Sequence, residues 1–232
     1  MTIEAEKIDV GWVDPEYVSG HFTQSIAAAV RDMEYFGCMG GVIRHSAPQQ
    51  NDARNAVALA FVEGENPWLW FVDADMMFDK GHVMKLWTAA QEHDAKIVSG
   101  LAMIWKEGHI PVPSIFYEDD EGLKLHHNRL RMESHEVAAT GLASVLIHRD
   151  VFEALEPPRH EGRRWFDVIP DRELGLPSDG LAGVDVQFFV RARQAGFKHV
   201  VEPKAETTHL ETIGVNLDTW ERYWTPKHSG TA

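Results

Sequence analysis

The 232-residue chain has little cysteine, little positive charge and no long apolar run, and each shortage narrows what it can be. Cys38 is its one cysteine, so no disulfide can form within the chain, and a reducing compartment fits that usage. Lysine and arginine number 22 against 36 aspartates and glutamates, a formal net charge of −14. Such a surface repels a phosphate backbone, so general nucleic-acid binding is not expected. The longest apolar runs, residues 56–62 and 67–72, fall far short of the roughly 20 residues a bilayer-crossing helix needs, so no membrane span is expected. The opening stretch lacks the basic-then-apolar order of a secretory leader, and a cytoplasmic location is the expectation. No internal repeat or low-complexity segment is present. What is there is ordinary for a globular protein, with 44% hydrophobic and 25% charged residues. The length suits one domain, residues 1–215, followed by a short tail, 216–232.

Residues 8–13 read as a first strand. In 24–36 the apolar residues Ile26, Ala29, Val30, Met33 and Phe36 recur at helical spacing, and Gly37 is a natural stop. A second strand over 39–44 is followed by a helix over 52–63, with Ala53, Ala56, Val57, Ala60 and Phe61 along one side. The run 68–72 is almost wholly apolar, as a strand covered on both faces should be. This alternation predicts an α/β fold, a mostly parallel sheet flanked by helices, with ligands at the carboxyl ends of its strands. Farther on, helices are expected over 81–93, 149–155 and 185–195. Strands are expected over 96–101 and 199–202, with an extended stretch at 113–117 and a small-then-apolar segment at 138–147. Residues 216–224 suit a short helix with Trp220 and Trp224 on one face. Residues 156–183, rich in proline, glycine and charge, are expected to form a lid that is mobile without ligand.

Asp73 and Asp75 directly follow the apolar run. Residues two apart in an extended chain point to the same side, so both carboxylates can address one place at the sheet edge. Hard carboxylate oxygens suit Mg²⁺ or Mn²⁺, and such an ion neutralises a diphosphate. The same pair could also be a polar turn. Arg54 and Asn55 lie near the start of the second helix, where an arginine and a helix N-terminus suit a diphosphate. Each could equally be a surface arginine or a helix cap. Asp185 stands at another helix start, where it could serve as a cap or as a base.

Taken in order, these segments resemble the family 2-like glycosyltransferases of the GT-A type. Phe71-Val72-Asp73-Ala74-Asp75 is similar to that family's hydrophobic DxD element, and Ala53-Arg54-Asn55 to its ARN element. Residues 96–101 and 139–149 resemble its following strand and its small-residue segment. Gly183-Val184-Asp185 opens a stretch, continued by Phe188, Arg191, Ala192 and Ala195-Gly196-Phe197, that resembles its GED…F…RA…AGF element. Glu202-Pro203-Lys204 leads to His209 as in its closing segment. The likeness runs over residues 40–210 and looks most like compact bacterial and bacteriophage transferases, which for a phage enzyme means the host cytoplasm. Val184 stands where the family has glutamate, and Gly11-Trp12-Val13-Asp14 departs from its usual first strand.

The resemblance implies a hexosyltransferase-like enzyme that takes a nucleotide-sugar, a UDP- or GDP-sugar, with Mn²⁺ or Mg²⁺. It implies Asp75 and His209 as metal ligands, and Asp73 on the ribose or on the metal through water. Arg54 and Asn55 would lie near the donor, and Gly141 would let the backbone approach the sugar. Asp185 would be the base of an inverting reaction; without it as base, retention would be open. Trp165, beside Arg163, Arg164 and Phe166, would stack on a bound sugar or anchor its loop to the core. Protein, glycan and modified-nucleobase acceptors all remain open. Aspartates at a sheet edge also serve Mg²⁺-dependent phosphoryl or nucleotidyl transfer. A phosphatase of that kind would place its nucleophile after the first strand, and a nucleotidyltransferase would carry a glycine-rich loop near the N-terminus, which is lacking. Val184 keeps a catalytically silent nucleotide-sugar-binding module as the third reading.

Overall fold

Alternation along Trp68–Asp73 organises the molecule. Trp68, Trp70 and Val72 enter one apolar core, while Leu69 and Phe71 enter another on the opposite face. Both faces of the strand are therefore covered, which is why the run carries almost no polar residue. This is seen in a computed structural model, which describes residues 6–14, 16–105, 111–120, 122–125, 130–155, 164–176 and 183–210.

In chain order the first half is β1 (Ile8–Val13), α1 (Gly20–Tyr35), β2 (Met39–His45), α2 (Gln50–Glu63), β3 (Trp68–Asp73), β4 (Met76–Phe78), α3 (His82–His93) and β5 (Ile97–Leu101). Then come β6 (Met103–Ile104), β7 (Val112–Pro113), β8 (Ile115–Asp119), β9 (Gly122–Leu125), β10 (His135–Glu136), β11 (Ala139–Thr140) and β12 (Ser144–His148). The chain closes with α4 (Arg149–Ala154), α5 (Val184–Gln194) and β13 (His199–His209). The main sheet has the order β10-β13-β5-β12-β3-β1-β2. β2, β1 and β3 run parallel to one another, as do β5 and β13. β12 runs antiparallel between β3 and β5, so all five of those strands end at the same edge. Phe22 and Met33 of α1 and Leu86 of α3 fill one face. Val57 and Phe61 of α2, Phe152 of α4 and Phe188 of α5 fill the other. The expected α/β class, a mostly parallel sheet between helices, is the one observed.

Four details differ from the sequence reading. Helix α1 begins at Gly20 because the Ser19 hydroxyl accepts a hydrogen bond from the Phe22 amide at 3.0 Å, capping the helix a turn early. The segment 138–147 is two strands, β11 and β12, paired in different sheets. The last strand does not stop at Glu202. It breaks register with β5 between Glu202 and Glu206 and continues as an antiparallel partner of β4, pairing His209 with Met76. Finally, the described part of the expected lid, 164–176, is packed down: Trp165, Phe166, Ile169 and Leu174 are buried. Gln187 of α5 clips it, accepting from the Ile169 amide at 3.0 Å and donating to the Ile169 carbonyl at 2.8 Å. The rest of 156–183, with Arg163, and the tail 216–232, with Trp220 and Trp224, lie outside the described residues. No helix among the described residues is long and apolar enough to cross a membrane.

Candidate active site

The carboxyl ends of β1, β2 and β3 open onto a cleft of about 500 Å³, lined by Val13, Asp14, Tyr17, Ser19, Ala47, Pro48, Gln50, Ala53, Asp73, Ala74, Asp75 and Leu210. Asp14 makes one rigid wall. Its carboxylate accepts from Arg44 Nε at 2.7 Å and Nη2 at 2.8 Å, from Trp12 Nε1 at 3.0 Å and from the Glu16 amide at 2.8 Å. The Arg44 hydrogen bond holds this carboxyl below the usual carboxylate range, against the effect of burial. Asp14 and the exposed ring of Tyr17 were not picked out from the sequence. One signal was available for Asp14: it follows β1 as Asp73 ends β3, and the two strands pair in register with Val13 beside Asp73.

Asp73 and Asp75 face different partners. The Asp73 amide donates to the Ala143 carbonyl at 3.1 Å, which fixes the end of β3. Its carboxylate receives Arg54 Nη2 at 3.1 and 3.3 Å. Withdrawal from water, with repulsion from Asp185 and Asp75, pushes the Asp73 carboxyl up to about 6, and the Arg54 charge opposes that rise. Asp75 is open, its side chain 55% exposed, and its Oδ2 lies 3.1 Å from His209 Nε2. The Leu210 amide donates to the Asp75 carbonyl at 2.8 Å, joining the two strand ends. The β4–β13 pairing thus brings together residues 134 positions apart.

Asp185 lies beside this cleft. Helix α5 starts at Val184 with Gly183 as its cap, so Asp185 is the second helical residue and caps nothing. Its Oδ1 is bonded to Arg54 Nη1, and its Oδ2 accepts from the Leu142 amide at 3.4 Å. The first turn of a helix favours a negative charge there.

Three expected donor contacts are placed otherwise. Arg54 is only 3% exposed, with both Nη atoms committed to carboxylates, so its guanidinium is not offered to a diphosphate in the cleft. Asn55 is fully buried; its amide donates to Asp167 at 2.8 Å and accepts from the Phe166 amide at 3.0 Å, anchoring 164–169. Trp165 is buried against Phe152 and donates to the Phe152 carbonyl at 2.8 Å, so its ring anchors the loop to the core and stacks on no ligand. At Gly141 a Cβ would stand 2.9 Å from Ser114 Oγ, so the missing side chain serves contact with Ser114. Among the described residues no group of three or more His, Cys, Asp or Glu gathers as a metal site, so Asp75 and His209 are a two-residue candidate.

The mostly parallel sheet between helices is the GT-A glycosyltransferase fold, by its likeness to two solved structures. The chain is similar to the crystal structure of A197 from STIV, at 14% identity and a TM-score of 0.56, covering 91% of this chain and 97% of that one. It is also similar to GalNAc-T7, solved with UDP, GalNAc and Mn²⁺, at 13% identity and a TM-score of 0.54. That match covers 97% of this chain but 46% of GalNAc-T7, so the chain spans about half of that protein. No family model and no curated protein matches the chain. At such identities the likeness establishes the fold.

Proposed function

We propose that the chain is a glycosyltransferase that moves a sugar from a nucleotide-sugar to an acceptor hydroxyl, with a divalent cation at Asp75 and His209. The observation that carries this reading is the pairing of Asp75 with His209 at the carboxyl edge of a GT-A sheet, on the cleft whose wall also carries Asp73. The Asp75–His209 pair fits such an ion. The observed separation is 3.1 Å. One carboxylate oxygen from Asp75 and one imidazole from His209 would suit Mn²⁺. When bound, the ion neutralises the charge of the departing nucleoside diphosphate.

The chain's own residues supply the rest. The cleft beside Asp14 and Tyr17 takes the nucleoside, and the Asp73 carboxylate reaches the ribose or the metal through water. Asp185 accepts the proton of the acceptor hydroxyl as its oxygen attacks the anomeric carbon, and the bond to the diphosphate breaks on the opposite side, inverting that centre. The UDP and Mn²⁺ bound by GalNAc-T7 favour UDP over GDP donors as the first to try. The test is a thermal-shift panel of UDP- and GDP-sugars with and without Mn²⁺, since ligands of the native state raise its stability. Titration calorimetry of UDP then follows. Mn²⁺ is expected to tighten UDP binding in the unmutated protein and to have no effect in Asp75→Ala. Equal affinity with and without Mn²⁺ in the unmutated protein overturns the metal assignment.

A further inference from the structure

The Arg54 guanidinium sits between two carboxylates that belong to different halves of the proposed reaction. Nη2 holds Asp73, at the end of β3 and on the wall of the nucleotide cleft. Nη1 holds Asp185, at the start of α5, outside that cleft. The same short loop touches both partners: the Ala143 carbonyl accepts from the Asp73 amide, and the Leu142 amide donates to Asp185. The side chain of Arg54, on helix α2, therefore joins strand β3 to helix α5, and the loop braces both of its partners.

Fold stability alone gives a poor account of this arrangement. Two carboxylates around one cation leave an excess negative charge in a place largely shielded from water. Arg54 Nε is buried and has no hydrogen-bond partner among the described residues. An unsatisfied buried donor costs about 1–3 kcal/mol. Buried charge clusters of this kind are weak stabilisers compared with a packed apolar side chain. Arg54 also carries its positive charge in the N-terminal half of α2, where the helix dipole opposes it. The forked guanidinium does one thing no apolar residue can do: it ties two carboxylates at fixed spacing.

We infer that Arg54 is a positioning residue that registers the acceptor-side carboxylate, Asp185, against the donor-side carboxylate, Asp73, rather than a ligand of the donor diphosphate. This rests on the glycosyltransferase reading. Arg54 touches neither substrate; it acts through the two aspartates. With the fork intact, Asp185 cannot drift away from the bound sugar without drawing Asp73 along. A lysine keeps the charge but has no fork, so it can hold one carboxylate well and must release the other.

The test separates binding from turnover in Arg54→Lys and Arg54→Gln. Titration calorimetry with UDP and Mn²⁺ reads the first. Hydrolysis of the panel's fastest-turned-over nucleotide-sugar, with water as acceptor, reads the second. A displacement near 1 Å at a reacting group costs about 10²-fold in rate, so kcat is expected to fall by about that factor in Arg54→Lys. The UDP Kd is expected to stay within about twofold in the same variant, the signature of an interaction used only in turnover. A diphosphate ligand would behave the other way, weakening UDP binding, and that result overturns the inference. So does a kcat within a few-fold of the unmutated value, and so does loss of folded protein in both variants, which would make Arg54 an element of the fold alone. If the unmutated protein neither binds UDP nor hydrolyses any donor, the transferase reading itself fails, and that is seen before any variant is made.

Discussion

Helix α2 has an arginine beside each of its ends, and the two are held in opposite ways. At the carboxyl edge of the sheet Arg54 faces carboxylates and leaves Nε unpaired among the described residues. At the other edge Arg149, the first residue of α4, lies over the Phe61 ring at 4.6 Å and donates only to neutral carbonyls. Nη1 reaches the Val62 carbonyl at 2.9 Å, Nη2 those of Phe61 and Asn66 at 2.9 and 2.8 Å, and Nε that of Asn66 at 3.0 Å. These carbonyls lie in the last turn of α2 and just beyond it, where a cation complements the helix dipole. Every donor group of Arg149 is used, and its charge falls where the helix wants it. The contrast separates an end of the molecule built to hold from an end built to act: what Arg149 gains in stability, Arg54 gives up to keep two acids in place.

The sharpest way to break this contrast is at the acting end. Asp185→Asn removes the proposed base and leaves Arg54 paired with Asp73 as a neutral couple. Transfer is expected to fall by about 10²–10⁴-fold, the range for losing a general base, with the melting temperature nearly unchanged. Steady-state transfer rates and a melting curve on the same preparation check it; a rate within a few-fold of the unmutated enzyme removes Asp185 from the chemistry. Because Asp185 caps nothing, no capping loss confuses the comparison.

The holding end should respond in the reverse sense. Arg149→Met strands the carbonyls of Phe61, Val62 and Asn66 and is expected to cost about 2–3 kcal/mol. For a chain of this size that lowers the melting temperature by roughly 4–12 °C. UDP affinity measured with Mn²⁺ should not move. A weakened Kd with an intact melting temperature would mean that the two ends are not separate in function.

The last expected effect is graded rather than a single step, and it comes from two histidines buried inside the sheet's packing. His82 Nε2 lies 2.7 Å from Ser144 Oγ, and His199 Nε2 lies 2.7 Å from Ser99 Oγ. Burial pushes both down to about 3, with Lys85 adding to the effect on His82. Between pH 6.5 and 3 the unfolded chain therefore binds protons at these positions that the folded chain does not. Stability is full above pH 6.5 and falls on acidification, by up to about 1.4 kcal/mol per pH unit for each histidine. Urea midpoints from pH 7 to pH 4.5 measure the slope, and the double variant His82→Gln/His199→Gln should flatten it. An unchanged slope would show that these two histidines are not the source of the acid sensitivity.

What could be read in advance divides along physical lines. The strand β3 was legible because burial on two faces demands an almost unbroken apolar run, and such a run is visible one residue at a time. Asp73, Asp75, Asp185 and His209 could be picked out by type and position. Their partners could not. Arg54 meets Asp185 across 131 residues, and Asn55 meets Phe166 and Asp167 across 111 and 112; both residues looked like donor contacts because a helix start favours anions. The packing of 164–176 was hidden for a similar reason. Proline, glycine and charge suggested a mobile lid, while the side chains that pin the segment, Asn55 and Gln187, sit on distant helices. The second half of β13 was missed because Pro203 and Glu206 resemble a loop, whereas a proline is tolerated where a strand changes partner.

That break in β13 makes the spacing of the proposed metal pair, Asp75 and His209, a matter of counting. The strand leaves β5 after Glu202, rejoins it at Glu206, and then runs along β4 with His209 opposite Met76, next to Asp75. Side chains along a strand alternate between its faces, so a slip of one residue would turn His209 away and set Thr208 or Leu210 opposite Met76. An imidazole would give way to a hydroxyl or a hydrocarbon with every pocket residue unaltered. An insertion or deletion in 203–205 would therefore exchange the side chain proposed as a metal ligand, from several residues away.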